Sequence, residues 1–236
     1  MAKKSIIIGG IAIAICAVGG LLFGVDTWMD QQAKQKVEQE LSSATGLEVV
    51  SAEADVNLLK QQVTIEDIRF ANLNSFPSPH LLKIDRIDIK TEGFSIQPLK
   101  IETMVIQDIE INLDLQTRIN PQSPENPLKI NAQELLKQIK QQEKADSSSN
   151  EPDLQIQQMQ FKNIQVKANL KLPLRSNPLT HQFQIPQITL NDVTDENMPE
   201  KMSTALKEEI LTELQVWLDQ QRGVFPSVLK SNPLSL

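Results

Sequence analysis

One six-residue pattern occurs five times in this chain: an apolar residue, two others, an apolar residue, one other and an apolar residue. The copies are IEDIRF at 65–70, IDRIDI at 84–89, IQDIEI at 106–111, FKNIQV at 161–166 and IPQITL at 185–190. Because a strand alternates its side chains between two faces, this spacing would invert the apolar face at the central pair. A β-bulge that absorbs one extra residue restores it. The pattern therefore predicts five bulged amphipathic strands.

Repeated bulges of one kind bend a sheet repeatedly in one direction, so we expect a bent antiparallel β-sheet. The bulges should lie at five pairs: Glu66-Asp67, Asp85-Arg86, Gln107-Asp108, Lys162-Asn163 and Pro186-Gln187. The alternation places a second set of residues on the polar face, where we expect water around them: Asp85, Asp88, Asp108, Glu110, Asn112 and Asp114.

Amphipathic helices are expected around this sheet, which makes the fold class α+β. Asn131 and Glu134 have the spacing of a capping box, and Ile130 with Leu135 that of a hydrophobic staple. Met202, Leu206, Ile210, Leu214 and Leu218 recur at intervals of four near the end of the chain. The predicted segments are a juxtamembrane helix at 26–46, a β domain at 47–223 with a helix at 131–143, a mobile linker at 144–153 and a terminal helix at 199–222, and an irregular tail at 224–236.

Residues 6–25 contain no charged side chain, and about 20 apolar residues are enough to cross a bilayer core. Lys3 and Lys4 precede this run and Asp26 follows it, so the positive-inside rule places the amino end in the cytoplasm. We therefore expect a cytoplasmic tip and single-pass transmembrane anchor at 1–25, with the bulk of the chain outside the cytoplasm. A cleaved signal peptide is the alternative, although this run is longer than its usual ~7–15 apolar residues.

Charge and composition exclude some functions. Beyond residue 25 the chain has 30 acidic and 21 basic residues, since two of its 23 basic residues are Lys3 and Lys4. The resulting charge of −9 disfavours nucleic acid as a partner. The two histidines, His80 and His181, lie in proline-flanked polar segments, and no glycine-rich phosphate loop or metal-ligand spacing occurs. We expect no enzyme activity, no metal and no cofactor.

The order of the segments resembles that of the short, membrane-anchored AsmA-like proteins, relatives of the repeating-β-groove or chorein-type lipid transfer proteins. The resemblance rests on a helix that ends in Thr45-Gly46, on VTIEDIRFANLNSFPSPHLLKIDRIDIK at 63–90, and on FQIPQITL at 183–190 before the terminal helix. It implies a bacterial inner-membrane protein whose bulk faces the periplasm.

The resemblance also implies lipid handling or maintenance of the cell envelope and outer membrane, with membrane lipids and envelope proteins as partners. Acyl chains would then lie against the apolar strand face. This lipid-facing groove would consist of Ile65, Ile68, Phe70, Ile84, Ile87, Ile89, Ile106, Ile109, Ile111, Phe161, Ile164, Val166, Ile185, Ile188 and Leu190. The alternative is an envelope scaffold or accessory subunit of a membrane complex, in which the terminal helix seals the core and no lipid is carried.

Overall fold

The computed structural model describes residues 30–57, 59–92, 99–117, 128–135, 137, 154–172, 176–194 and 197–222. Two long helices, α1 (Asp30–Thr45) and α2 (Met198–Arg222), flank one eight-stranded sheet. The strands are β1 (Val49–Val50), β2 (Glu53–Asn57), β3 (Gln62–Ala71), β4 (His80–Thr91), β5 (Leu99–Thr117), β6 (Leu128–Ile130), β7 (Leu154–Lys171) and β8 (Leu179–Thr194).

The strand order is β1-β3-β4-β5-β7-β8, with β2 paired to β3 and β6 paired to β5. All strand pairs are antiparallel except the central one, β5 with β7. These two strands run parallel, and their paired positions extend from Leu99 with Leu154 to Gln116 with Lys171. The expected antiparallel pairing is confirmed for every pair but this one, and the sheet as a whole is mixed. A parallel pair needs a crossover connection, and the chain between residues 117 and 154 is long enough to supply one.

The repeated pattern gives aligned extra residues rather than isolated bulges. Between β3 and β4 the pairs run from Glu66–Arg86 to Ile68–Ile84, so Asp67 lies opposite Asp85 and the register is unchanged. In each of the next three strand pairs, one residue on each strand is likewise left out of the pairing at the same level. The five extra residues, called here the crease, are Asp67, Asp85, Asp108, Asn163 and Pro186. Each strand carries one extra residue at the same level, so the apolar face is kept without a register shift.

Backbone conformation shows how the crease is made. Asp67, Asp108 and Asn163 have φ of 51°, 56° and 54°. This left-handed region is costly for most residues, but Asp and Asn tolerate it best after glycine. The central pairs of these copies thus contain the residue types that the backbone requires.

The helices lie at the two ends of the sheet order. α1 packs against β1 and β2, and α2 packs against β8. Gly46, with φ of 66°, follows the last residue of α1, where a left-handed glycine commonly ends a helix. The helix expected at 131–143 is described at residues 131–135 and 137. The predicted anchor at 1–25, the linker at 144–153 and the tail at 224–236 lie outside the described residues, and no described helix is long and apolar enough to cross a membrane.

Candidate functional site

The candidate site is one face of the sheet, called here the inner face. It carries the apolar residues of all five repeated patterns, and these belong to a single hydrophobic core. Ile68, Ile84 and Ile106 are 0% exposed, and the remaining predicted residues are buried as well, apart from the partly buried Ile188. The inner face is therefore covered by the folded chain itself.

The register adds residues that the repeated pattern missed. Leu113 and Leu115 in β5 and their partners Ala168 and Leu170 in β7 extend the face along the parallel pair, and Met104 pairs with Met159 across it. From Val63 in β3 to Val193 in β8, the described residues of the inner face include no Asp, Glu, Lys or Arg. Its polar members are Thr91 and His181. The face is mainly aliphatic and uncharged over the five strands β3, β4, β5, β7 and β8.

α2 supplies an apolar surface of its own. Met202, Leu206, Ile210, Leu214 and Leu218 are at most 2% exposed and join the same core as the strands. Full burial of a leucine or isoleucine side chain stabilises a fold by about 1.5–3 kcal/mol. This helix therefore buries its apolar stripe in the same core as the strands and packs next to β8.

The two ends of α2 are attached differently. Near its first residues, Asn197 Oδ1 accepts a 3.0 Å hydrogen bond from the Thr194 amide, and Asn197 Nδ2 donates to the Asp192 carbonyl at 3.1 Å. Lys201 Nζ donates to the carbonyls of Asn191 and Asp192 at 2.6 and 2.8 Å. These bonds fix the start of α2 to the end of β8.

The other end of α2 meets the start of β8 through aromatic rings. The His181 ring stacks on Trp217 with centroids 5.3 Å apart, and it lies 5.8 Å from the Phe183 ring. The buried Nε2 atom of His181 has no hydrogen-bond partner in the described part of the chain. An unsatisfied buried polar atom costs about 1–3 kcal/mol, which offsets part of the stabilisation from burial of the rings at this end.

The opposite, outer face is not uniformly exposed, which corrects the expectation of water around Asn112 and Asp114. Asp114 is 0% exposed and Asn112 is 4% exposed. The loop at 72–79 packs onto this end of β5, and Phe76 within it is 7% exposed. Strand alternation identifies a second face, but it does not reveal that a loop covers part of it.

Four neutral donors surround the Asp114 carboxylate. Oδ1 accepts from the Ser78 hydroxyl at 2.7 Å and from Asn169 Nδ2 at 3.1 Å, while Oδ2 accepts from Asn72 Nδ2 at 2.8 Å and the Ser78 amide at 3.0 Å. Two bonds to each oxygen fill the acceptor capacity of a carboxylate. The group is thus a structural anchor for the loop.

Asn131 joins the same cluster from the helical segment. Its Oδ1 accepts from the amides of Ala132 at 2.9 Å and Asp114 at 3.1 Å, and its Nδ2 donates to the Asn112 carbonyl at 2.8 Å. The residue expected to cap a helix therefore also bonds to the sheet, and it is 0% exposed.

Away from the loop, the outer face carries ion pairs. Arg86 bonds Asp88 through Nε at 2.7 Å and Glu66 through Nη1 at 2.8 Å, and Lys83 bonds Asp85 at 2.7 Å. Partial burial opposes ionisation of Asp88, but hydrogen bonds from Arg86 and Thr64 outweigh it and hold its pKa below the ordinary value. The hydrogen bond to Asp85 raises the pKa of Lys83.

The two histidines of the proline-flanked segments lie in strands. His80 begins β4, and its Nε2 is 3.1 Å from Glu110 Oε1. Hydrogen bonds from Asn112 and then from His80 lower the pKa of Glu110, although partial burial opposes this. Within the described residues, no three His, Cys, Asp or Glu side chains are grouped so that they could hold a metal ion.

Comparison with known proteins does not assign a family. No protein-family model matches the chain, and no curated protein matches it at a significant level.

Proposed function

We propose that this chain is a non-catalytic, membrane-anchored lipid-handling protein, and that its inner face binds acyl chains when α2 moves aside. The observation that carries the proposal is the uncharged aliphatic face that continues across β3, β4, β5, β7 and β8. Apolar surface of this kind binds hydrocarbon without a specific polar contact, because the hydrophobic effect is non-directional.

The attachments of α2 support its role as a cover. Asn197 and Lys201 hold its start by hydrogen bonds, whereas Trp217 is held by ring stacking next to an unsatisfied His181 nitrogen. An acyl chain would replace the apolar side chains of the helix on the same surface, so the strand face would stay buried in hydrocarbon. We infer that the Trp217 end opens first.

The resemblance to AsmA-like proteins supplies the setting for the proposal. It places the chain in the inner membrane of a bacterium with its bulk in the periplasm, where phospholipid is the available acyl ligand and envelope proteins are the available partners. The apolar run at 6–25 is the proposed anchor.

The envelope scaffold or accessory subunit is the second candidate, and one observation favours it. Leu206, Ile210 and Leu214 of α2 are 0–2% exposed, as expected if the helix seals a permanent core. Such a protein would use its outer surface for protein partners and would carry no lipid.

Native mass spectrometry distinguishes the two candidates. Since the core residues that the structure describes lie between 37 and 218, a secreted form comprising residues 27–236 keeps all of them and omits the proposed anchor. This form would be purified from the periplasm without detergent. Lipid handling predicts co-purified phospholipid in a fixed ratio to protein. A folded chain with only its polypeptide mass, both as purified and after incubation with phospholipid vesicles, would contradict it and favour the scaffold.

A further inference from the structure

The turn between β2 and β3 presents a leucine to solvent. Leu59 is 100% exposed, and Lys60 beside it is also exposed. The flanking strands pair up to Asn57–Gln62, so both side chains project from the tip of a hairpin. A single exposed apolar residue is common on protein surfaces, but the hydrogen bonds that hold this tip and its place at one end of the sheet set Leu59 apart.

The tip, defined here as residues 59–61, is fixed by hydrogen bonds. The Lys60 amide donates to Asn57 Oδ1 at 3.0 Å, and the Gln61 carbonyl accepts from the Thr91 amide at 2.9 Å and the Thr91 hydroxyl at 3.3 Å. Gln61 itself has φ of 52°. The chain thus holds Leu59 outward on an ordered turn, where it is not free to fold back onto the core.

The direction of α1 places its first residue at the same end of the sheet as the tip. The Val49 amide donates to Ser42 Oγ at 3.0 Å, and the Ser51 amide donates to Glu38 Oε1 at 2.7 Å. α1 therefore runs antiparallel to β1 and β2, and its first residues lie toward the hairpin. Asp30 is about 12 Å along the helix from Glu38, and Asn57 is about 20 Å along the strand from Ser51.

The apolar run at 6–25 ends only five residues before Asp30. A chain of that length spans at most about 18 Å, whatever its conformation. If the run crosses a bilayer, the bilayer surface lies within that reach of the start of α1, and hence beside the hairpin tip.

We propose that Leu59 and Lys60 form a second membrane contact, in which the leucine enters the boundary between headgroups and acyl chains and the lysine binds lipid phosphate. This inference rests on the membrane anchorage contained in the proposed function. The pairing of an apolar side chain with a basic one suits the bilayer interface. The contact fixes the orientation of the sheet, so that the tip end meets the bilayer and the loop at 72–79 points away from it.

A fluorescence experiment on the full chain tests the contact. In a Cys16→Ser background, Leu59→Cys would be labelled with an environment-sensitive dye, and the chain would be reconstituted in phosphatidylethanolamine–phosphatidylglycerol nanodiscs, with and without brominated acyl chains. The control is Ser176→Cys, because Ser176 is exposed and follows β7 at the opposite end of the sheet.

The proposal predicts a blue shift and a loss of emission in brominated discs for the dye at position 59, and neither change for the dye at 176. Equal emission at position 59 in both kinds of disc, from a chain that elutes with the discs, would overturn the contact. A chain that does not elute with the discs would overturn the anchorage and the contact with it. Lipid carriage by residues 27–236 is measured without the anchor, so its failure is separable from either result.

Discussion

The hydroxyl of Ser78 donates a 2.7 Å hydrogen bond to Oδ1 of Asp114, a carboxylate with no exposed surface. The two residues are 36 positions apart, so the bond ties the loop at 72–79 to β5. Asn72 and Asn169 donate to the same carboxylate. Asp114 therefore holds the loop at 72–79 against the outer face of the sheet.

Replacing Asp114 with alanine should therefore destabilise the fold. The substitution removes four hydrogen bonds, one each from Asn72 and Asn169 and two from Ser78, in a region that is buried or partly buried. We expect a loss of about 2–4 kcal/mol in the free energy of unfolding. Urea unfolding of residues 27–236, followed by circular dichroism, measures it. The matched control is Asp55→Ala in β2, where the carboxylate is exposed and a change below about 0.5 kcal/mol is expected. Equal values for the two variants would contradict the anchoring role.

The crease gives a prediction about backbone conformation. Asn163 has φ of 54°, which glycine adopts freely and a β-branched residue does not. We expect Asn163→Val to lose about 1–3 kcal/mol and Asn163→Gly to lose about 1 kcal/mol or less. Both variants remove the exposed hydrogen bond to Asp108, so their difference isolates the backbone term. Gln165→Val, at an exposed position in the same strand, controls for the valine.

If α2 covers the inner face, substitutions on its buried side should reduce the stability of the fold far more than substitutions on its exposed side. Leu206 is 2% exposed and Val216 is 52% exposed. Leu206→Asp places a charge in the core and should cost about 2–5 kcal/mol, whereas Val216→Asp should cost less than about 1 kcal/mol. Thermal unfolding of both variants measures the contrast. A small loss for Leu206→Asp would show that the helix does not cover the inner face in solution.

Acid should weaken the fold partly through Asp88. Burial opposes its ionisation, yet the hydrogen bonds from Arg86 and Thr64 dominate and keep its folded-state pKa below the ordinary 3.8. A group with a depressed pKa contributes stability above its unfolded value and loses that contribution as the pH falls through the folded value. Asp88→Asn should therefore show a smaller drop in Tm between about pH 7 and about pH 3 than the unaltered chain. An unchanged drop would argue against this contribution, and Asp55→Asn serves as the control.

Much of the sheet could be predicted from local spacing. The parity break at Glu66-Asp67 indicates an extra residue, and the structure places that residue at Asp67 with a left-handed backbone. The side-chain types support the assignment, because Asp and Asn tolerate this conformation. The apolar stripe of the terminal helix likewise indicates where α2 lies, since 3.6-residue periodicity is a strong local signal.

Two features depend on contacts that local spacing does not report. The parallel pairing of β5 with β7 cannot be read from either strand, because alternation is the same in both directions along a chain. The burial of Asp114 depends on the loop at 72–79, whose polar sequence resembles an exposed turn. The sequence signal for this burial was the short amide and hydroxyl side chains of Asn72, Ser78 and Asn131, which suit a buried hydrogen-bond network.

Photocrosslinking tests the central claim, acyl-chain binding by the inner face, most directly. Residues 27–236 would be incubated with a phospholipid that carries a diazirine at the end of its acyl chain, illuminated and mapped by peptide mass spectrometry. Acyl-chain binding predicts crosslinks to inner-face residues such as Ile87, Ile109 and Ile164, reduced by an excess of unlabelled phospholipid. A folded protein with crosslinks confined to the outer face, or with none, would contradict it.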